Sequence, residues 1–145
     1  MKRPFVAGNW KMNLDRRSCF ELAERLRDAL RDERAVELGV AVPYPYLELV
    51  AGTLRQTPVA VGAQDVCERK NGAFTGEVSA EMLLDVGCRF ALVGHSERRH
   101  VYGEGDALCN AKVLRALEAG LAVVLCVGET LAERDAGRTE AVVRA

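Results

Sequence analysis

A cluster of chemically active side chains follows a short apolar run in the middle of the sequence. The apolar run covers residues 90–93, and after Gly94 residues 95–99 supply an imidazole, a carboxylate and two guanidinium groups. A run with no polar face is typical of a strand that is buried on both sides in a parallel sheet. Such folds keep their sites at the carboxyl ends of the strands. His95 is therefore the first candidate for a catalytic residue, although a single histidine after a strand also occurs as a structural residue.

Polar side chains follow several other predicted strands at the same point. Asn9 and Lys11 follow the first strand, Gln64 follows the third, and Glu129 follows the fifth. Polar groups from non-adjacent strands converge only if the strands curl around a common axis, so the pattern favours a barrel wall over a flat sheet. We interpret Gln64 and Glu129 as hydrogen-bonding residues of the barrel rim.

Predicted strands and helices alternate along the whole chain. This alternation implies right-handed crossovers and a parallel sheet, which makes the fold class α/β. The predicted strands are residues 5–9, 36–42, 59–63, 90–93 and 122–127. The predicted helices begin at Asp15 or Ser18, span residues 44–55, follow the caps Ser79 and Asp106, and form two pieces that run to residue 145. A polar loop is predicted between the fourth strand and Asp106.

A long loop between Gln64 and Glu77 precedes the helix that Ser79 caps. A loop of this length inside a compact unit is usually functional. The helix that follows is expected to bury Met82, Leu83 and Val86.

Composition and charge exclude several classes of function. With 145 residues, 49% of them hydrophobic and 28% charged, the chain is long enough for one core, and we predict one domain over residues 1–145. The net charge of -1 and the pI near 6.2 offer no basic surface for nucleic acid. No apolar run approaches the roughly 20 residues that span a bilayer, so no membrane association is expected.

Cysteines and histidines give little support for a disulfide framework or a metal site. The five cysteines are odd in number and show no CxxC or zinc-type spacing. The two histidines, His95 and His100, lie next to Arg98 and Arg99, which is a poor environment for a metal cation. We therefore expect buried thiols, no metal ion and a cytoplasmic location.

Five sequence motifs together resemble one enzyme family in their order and spacing. The motifs are Ala7–Asn13 (AGNWKMN), Gly62–Asp65 (GAQD), Gly72–Glu77 (GAFTGE), Val93–Arg99 (VGHSERR) and Cys126–Thr130 (CVGET). In these motifs the chain is similar to the triosephosphate isomerase family. The resemblance implies a (β/α)₈ TIM barrel that interconverts dihydroxyacetone phosphate and glyceraldehyde 3-phosphate through an enediolate, in glycolysis and gluconeogenesis, with no cofactor.

The resemblance also implies roles for individual residues. Lys11 would supply a fixed positive charge to the substrate and to the developing oxyanion, and Asn9 would orient it. His95 would be kept neutral near a helix N-terminus, polarise the carbonyl and move protons between the two oxygens. Glu97 would lie beside these residues, and Thr75 would reach from the long loop of one subunit into its neighbour's site.

Glu97 has a second interpretation that needs no catalysis. A buried carboxylate between Arg98 and Lys11 would form a purely structural ion pair.

Proton abstraction next to a carbonyl needs a base, an electrophile near the carbonyl oxygen and stabilisation of the developing charge. Lys11 and His95 can supply the last two, and no residue of this sequence matches the family's base. The family's catalytic glutamate, its closing loop and its glycine-rich phosphate loops come after the fifth helix. We therefore expect an incomplete TIM barrel of about five of the eight parallel βα units, inactive as an isomerase by itself.

Two other interpretations remain open. The chain could be a non-catalytic, self-assembling half-barrel module whose site residues are relics, or another phosphosugar enzyme, which the particular character of the motifs disfavours. An incomplete barrel would expose the edges of its first and fifth strands and the apolar inward faces of all five. We therefore expect self-association through these edges and through the loop Gln64–Glu77.

Overall fold

Five parallel strands, each paired with the next one along the chain, form the framework of the molecule. The computed structural model describes residues 3–144. The strands are β1 Phe5–Asn9, β2 Glu37–Val42, β3 Val59–Ala63, β4 Phe90–Val93 and β5 Ala122–Leu125. The helices are α1 Arg16–Leu30, α2 Leu47–Thr53, α3 Ala80–Asp85, α4 Ser96–Val101, α5 Asp106–Glu118, α6 Leu131–Asp135 and α7 Thr139–Arg144, with a 3₁₀ helix at Tyr44–Tyr46.

The sheet is curled. Side chains of β1 and β4 contact each other although β2 and β3 lie between these two strands. The rings of Phe5 and Phe90 meet edge to face with their centroids 5.6 Å apart. In a flat sheet the two backbones would lie about 14 Å apart, at roughly 4.8 Å per strand. The predicted α/β class and the five parallel units of an incomplete TIM barrel are therefore confirmed.

Helix boundaries follow local chemistry, and the beginning of α2 differs from the prediction. Asp15 caps α1 in a reciprocal pair with Ser18, as one of the two predicted starts requires. The single helix predicted over residues 44–55 is wrong at its beginning. A residue before a proline avoids the α conformation, so Tyr44, followed by Pro45, enters a 3₁₀ turn and α2 begins only at Leu47.

The polar loop predicted after the fourth strand contains a helix. Residues Ser96–Val101 form α4, which is too short and too charged to show an apolar stripe in the sequence. The next helix, α5, begins at Asp106 itself, and Gly105 occupies the capping position that we predicted for Asp106.

Apolar side chains pack in two layers, one on each face of the sheet. The outer layer lies between the strands and the helices. The inner layer lies inside the curl and consists of Ala41, Phe90 and Leu92. A Cβ atom at Gly62 would lie 2.4 Å from the ring of Phe90, so this position needs a glycine if the ring is to fill the interior.

The edge strands of the sheet are exposed as predicted, but the inward faces of the central strands are not. The two edges are β1 and β5, as predicted, and Phe5 and Leu125 are 44% and 48% exposed. The inward faces of the central strands are not exposed, because Phe90 and Leu92 cover them. The predicted burial of Met82 is also wrong, since that side chain is 55% exposed while Leu83 is fully buried.

In the part of the chain that the structure describes, no helix combines the length and the apolar character that crossing a membrane requires.

Candidate functional site

The candidate site lies where the carboxyl ends of β1, β3 and β4 meet. These strands end at Asn9, Ala63 and Val93, and the residues that follow them line one cavity of about 310 Å³. Asn9, Lys11, Gln64, His95 and Glu97 all line this cavity. The structure therefore brings together four of the five site residues predicted from the sequence.

Lys11 is held in an unusual backbone conformation by its neighbours. Its φ of 53° lies in the left-handed region, which side chains other than glycine rarely adopt. The side-chain oxygen of Asn9 accepts a hydrogen bond from the Lys11 backbone N–H at 2.9 Å, and the Gln64 amide donates to the Lys11 carbonyl at 2.8 Å. Gln64 is thus the hydrogen-bonding rim residue that was predicted, and what it positions is Lys11.

His95 is the capping residue of α4. Its Nδ1 accepts a hydrogen bond of 3.3 Å from the backbone N–H of Glu97. In a neutral imidazole a nitrogen that accepts a hydrogen bond carries no proton, so the proton of a neutral ring in this position is on Nε2. One carboxylate oxygen of Glu97 lies 3.4 Å from the same Nδ1, and the ammonium of Lys11 offsets its charge. The ring can therefore donate one hydrogen bond through Nε2.

Glu97 pairs with Lys11 across the curl of the sheet. The Lys11 Nζ lies 2.5 Å from Glu97 Oε1, and the hydrogen bond from Lys11 is the largest cause that lowers the pKa of Glu97. The prediction of a buried carboxylate between Arg98 and Lys11 is wrong in two respects. The Glu97 side chain is 49% exposed, and the Arg98 guanidinium turns away to Asp65 and Glu104. Successive helix residues point in different directions, which accounts for the different partners.

Thr75 does not reach the cavity of its own chain. It lies at the exposed tip of the loop Gln64–Glu77. The base of the loop is closed by a backbone hydrogen bond from Cys67 to Val78, and Arg69 stacks on Phe74 with its Cζ atom 5.6 Å from the ring centroid. The loop is thus held by local contacts, and its tip is exposed to solvent.

Sequence reasoning missed a cluster of four charged residues beside the cavity, of which Asp65, Glu104 and Lys112 are buried and Arg98 is partly exposed. The Lys112 ammonium lies 2.8 Å from Asp65 and 2.6 Å from Glu104, and the Arg98 guanidinium lies 2.9 Å from Asp65 and 2.6 Å from Glu104. The cluster links the segment after β3 to α4 and α5. One signal was present, because Lys112 lies between Cys109 and Ala116 on the buried face of α5.

The two carboxylates of this cluster differ in their pKa values. Burial is the largest effect on Asp65 and raises its pKa, although Lys112 and Arg98 act in the opposite direction. Burial acts in the same sense on Glu104, but hydrogen bonds from Arg98 and Lys112 outweigh it and lower the pKa of Glu104. Lys112, whose side chain is 3% exposed, therefore neutralises negative charge that water cannot reach.

Glu129 hydrogen-bonds near the end of β5, as predicted, and stabilises the segment that follows. Its carboxylate accepts hydrogen bonds from Arg134 Nε at 2.7 Å and from the Thr139 hydroxyl at 3.1 Å. These bonds join the loop after β5 to α6 and α7. Glu129 is not one of the residues that line the cavity with Lys11 and His95.

Comparison with known proteins identifies the family. A family model described as triosephosphate isomerase matches residues 4–145. The chain belongs to the triosephosphate isomerase family. This finding confirms the resemblance seen in the five sequence motifs.

Curated relatives named triosephosphate isomerase support the assignment to this family. The protein of Halorhodospira halophila is 54% identical over 145 residues, and the match covers 99% of this chain and 56% of the relative. The protein of Thiobacillus denitrificans is 52% identical over 143 residues, with 99% and 56% covered. The chain thus spans a little over half the length of the curated relatives that it matches.

The cavity can supply positive charge and a hydrogen-bond donor, whereas its carboxylates are committed to ion pairs. Lys11 provides the ammonium group and His95 provides the Nε2 proton. The carboxylates that line the cavity among the described residues are Asp65 and Glu97. Asp65 is paired with Lys112 and Arg98, and Glu97 is paired with Lys11. In this arrangement neither carboxylate is available as a free proton acceptor.

Replacing Lys112 by methionine tests the buried cluster. We expect Lys112→Met to lower the free energy of unfolding by about 3–5 kcal/mol near neutral pH, because two buried carboxylates lose their ammonium partner. Without Lys112 both carboxyl groups gain a proton more readily in the folded state. Protonation of these carboxyl groups therefore offsets part of the loss of stability in the variant. The offset is complete below their unfolded pKa values near 4 and disappears as the pH rises.

Urea denaturation at about pH 4.5 and about pH 7 measures this difference. Arg17→Met serves as the control, since Arg17 forms an exposed ion pair with Glu21 on α1 and its loss should change little at either pH. The double variant Lys112→Met, Glu104→Gln should recover part of the loss. A loss of equal size at both pH values would contradict this account of the cluster.

Proposed function

We propose that this chain supplies the electrophilic half of a triosephosphate isomerase site. The observation that carries the proposal is the shared cavity, in which the Lys11 ammonium and the His95 ring stand at one rim of the curled sheet. The substrates would be dihydroxyacetone phosphate and glyceraldehyde 3-phosphate, as the family implies. The chain would act in glycolysis and gluconeogenesis.

Each group has one task in the proposed reaction. When a base removes a proton from the carbon next to the carbonyl, negative charge develops on the carbonyl oxygen. The ammonium of Lys11 stabilises that charge, and the Nε2–H of His95 donates a hydrogen bond to the oxygen. Asn9 fixes the backbone of Lys11, and Glu97 holds the ammonium in place before the substrate arrives.

The base must come from outside the groups described above. Asp65 and Glu97 line the cavity but are both ion-paired, so we propose that the 145-residue polypeptide alone does not turn over substrate. In the alternative function, a non-catalytic half-barrel module, the same residues would be relics. The ion pairing of Asp65 and Glu97 is compatible with both proposals, and activity in a complete barrel separates them.

A chimera tests the proposed chemistry. In the chimera this chain is followed by the remaining part of the Halorhodospira halophila relative, which the chain matches over 56% of its length. We expect the chimera to interconvert the two triose phosphates in a coupled assay. Replacing His95 by glutamine or Lys11 by methionine should lower kcat by about 10²–10³-fold, the usual effect of losing one group that stabilises an oxyanion.

His100→Asn is the matched control, because it removes an exposed imidazole from the same helix without touching the cavity. It should leave turnover unchanged. Chimera activity that survives the loss of both Lys11 and His95, or turnover by the 145-residue chain itself, would overturn the proposal.

We also propose that copies of this chain associate. Apolar side chains surround the cavity and face solvent, with Met12 91% exposed and Tyr102 67% exposed, and Phe74 is exposed at the tip of the loop Gln64–Glu77. A second copy would cover these side chains and receive the loop tip, which would bring Thr75 to the neighbouring cavity. The exposed edges β1 and β5 offer further unpaired backbone groups for association.

A pair of phenylalanine variants tests this association. Phe74→Asp should shift the chain towards monomer in sedimentation equilibrium, because a charge at the loop tip would be buried against the second copy. Phe20→Asp, at a similarly exposed phenylalanine on α1, should leave the association unchanged. A parent chain that sediments as a stable monomer at micromolar concentration would contradict the proposal.

A cytosolic location completes the proposal. The five cysteines carry free thiols, and burial raises the pKa of Cys88 to about 12. A thiol with such a pKa is almost fully protonated at neutral pH. Free thiols, rather than the pKa of one of them, are what support a reducing compartment.

A further inference from the structure

We propose that Arg99 is a positioning residue for His95. The proposal rests on the proposed function only for the task that His95 performs. Arg99 does not touch the space where a substrate would bind between Lys11 and His95, and it is not among the residues that line that cavity. Its contacts instead fix the backbone on both sides of His95.

Arg99 holds the two carbonyl groups that flank His95. Its side-chain Nε donates a hydrogen bond of 2.8 Å to the Gly94 carbonyl, which belongs to the peptide group before His95. Its own backbone N–H donates a bond of 3.1 Å to the His95 carbonyl, which belongs to the peptide group after His95. The second bond is a backbone bond of the helix and does not need the arginine side chain, and Arg98 N–H donates to the same carbonyl. What the Arg99 side chain adds is the hold on the peptide group before His95, one of the two that set the backbone angles of His95 and so the direction of its imidazole.

The absence of a side chain at Gly94 leaves the space that the guanidinium of Arg99 occupies at this turn. Gly94 has a φ of 70°, a conformation in which a side chain is strained. A Cβ atom there would lie 2.9 Å from Nη2 of Arg99 and 3.2 Å from Sγ of Cys109. The guanidinium thus occupies the side of the turn that a larger residue would fill, and its side chain is only 23% exposed.

A second anchor keeps the guanidinium in place. Nη1 of Arg99 lies 2.5 Å from Oδ1 of Asp106, the first residue of α5. The turn before His95 is thereby tied to a helix of thirteen residues that packs on β4 and β5. A lysine could not replace this arrangement, because one ammonium group lacks the planar fork that serves two acceptors in fixed directions.

A purely structural arginine would produce a different outcome from a positioning arginine. A structural role predicts lower stability with an unchanged His95 ring in the folded molecules. A positioning role predicts that the hydrogen bond from the Glu97 N–H to Nδ1 of His95 is lost, so that the ring exchanges between its two neutral tautomers.

Nitrogen-15 NMR of the histidine rings in the 145-residue chain separates the two roles. His100→Asn provides the background, since it leaves His95 as the one histidine of the sequence. We expect two well-separated ring nitrogen signals in this background, with the signal of an unprotonated nitrogen assigned to Nδ1. In Arg99→Ala and Arg99→Lys the two signals should move towards a common value, and guanidinium ion below denaturing concentration should restore their separation in Arg99→Ala.

Arg115→Ala is the matched control. Arg115 is another largely buried arginine, and it links α5 to α3 through Glu81 without touching the turn at Gly94. It should lower the free energy of unfolding and leave the His95 signals unchanged. Should Arg99→Ala fail to fold, Arg99→Lys and Asp106→Asn supply the same comparison with smaller changes.

Unchanged His95 signals in every folded Arg99 variant would overturn the proposal, and so would an equal effect of Arg115→Ala. The NMR readout needs no turnover. A chimera that lacks isomerase activity would therefore refute the proposed function while leaving the role of Arg99 at the turn to be decided by these spectra.

Discussion

The curl of the parallel sheet is the constraint on which the rest of the structure depends. At the carboxyl ends of the strands, Lys11 and Glu97 come within 2.5 Å although they follow β1 and β4. Towards the other end, the rings of Phe5 and Phe90 meet across the same two strands. In a flat sheet these residues would lie too far apart to touch, and the ammonium and the imidazole would not share a cavity. Glycines at positions 39 and 62 permit the curl, since Gly39 leaves room for the rings of Phe5 and Phe90 and Gly62 leaves room for the Phe90 ring.

The polar residues of the cavity are held by residues with no proposed part in the reaction. Gln64 fixes the backbone of Lys11, Arg99 fixes the turn before His95, and the buried cluster around Lys112 ties α4 to the segment after β3. Orienting groups of this kind are what a catalytic site needs if its side chains are to stay in productive geometry. The proposed reaction therefore depends on interactions well outside the residues that would contact a substrate.

The strands could be predicted from the sequence because buried parallel strands appear as short apolar runs between glycines, prolines and polar residues. Helix α4 could not, because six residues, three of them charged, show no apolar stripe and its cap is a histidine rather than a serine or aspartate. The ion-pair partners of Glu97 and Arg98 could not be predicted either, since the side chains of consecutive residues point in different directions once a helix forms. Asp65 and Lys112 are far apart in the chain, and only the packing of α5 on the sheet brings them together.

The central claim is that the curl places Lys11 against Glu97, and a carbon-13 NMR titration of the Glu97 carboxyl tests it most directly. The hydrogen bond from Lys11 lowers the pKa of Glu97, so the account predicts that this carboxyl titrates below its ordinary range in the parent chain and at higher pH in Lys11→Met. A Glu97 carboxyl that titrates at the same pH in both proteins would show that the two side chains do not meet, and the shared cavity would be contradicted.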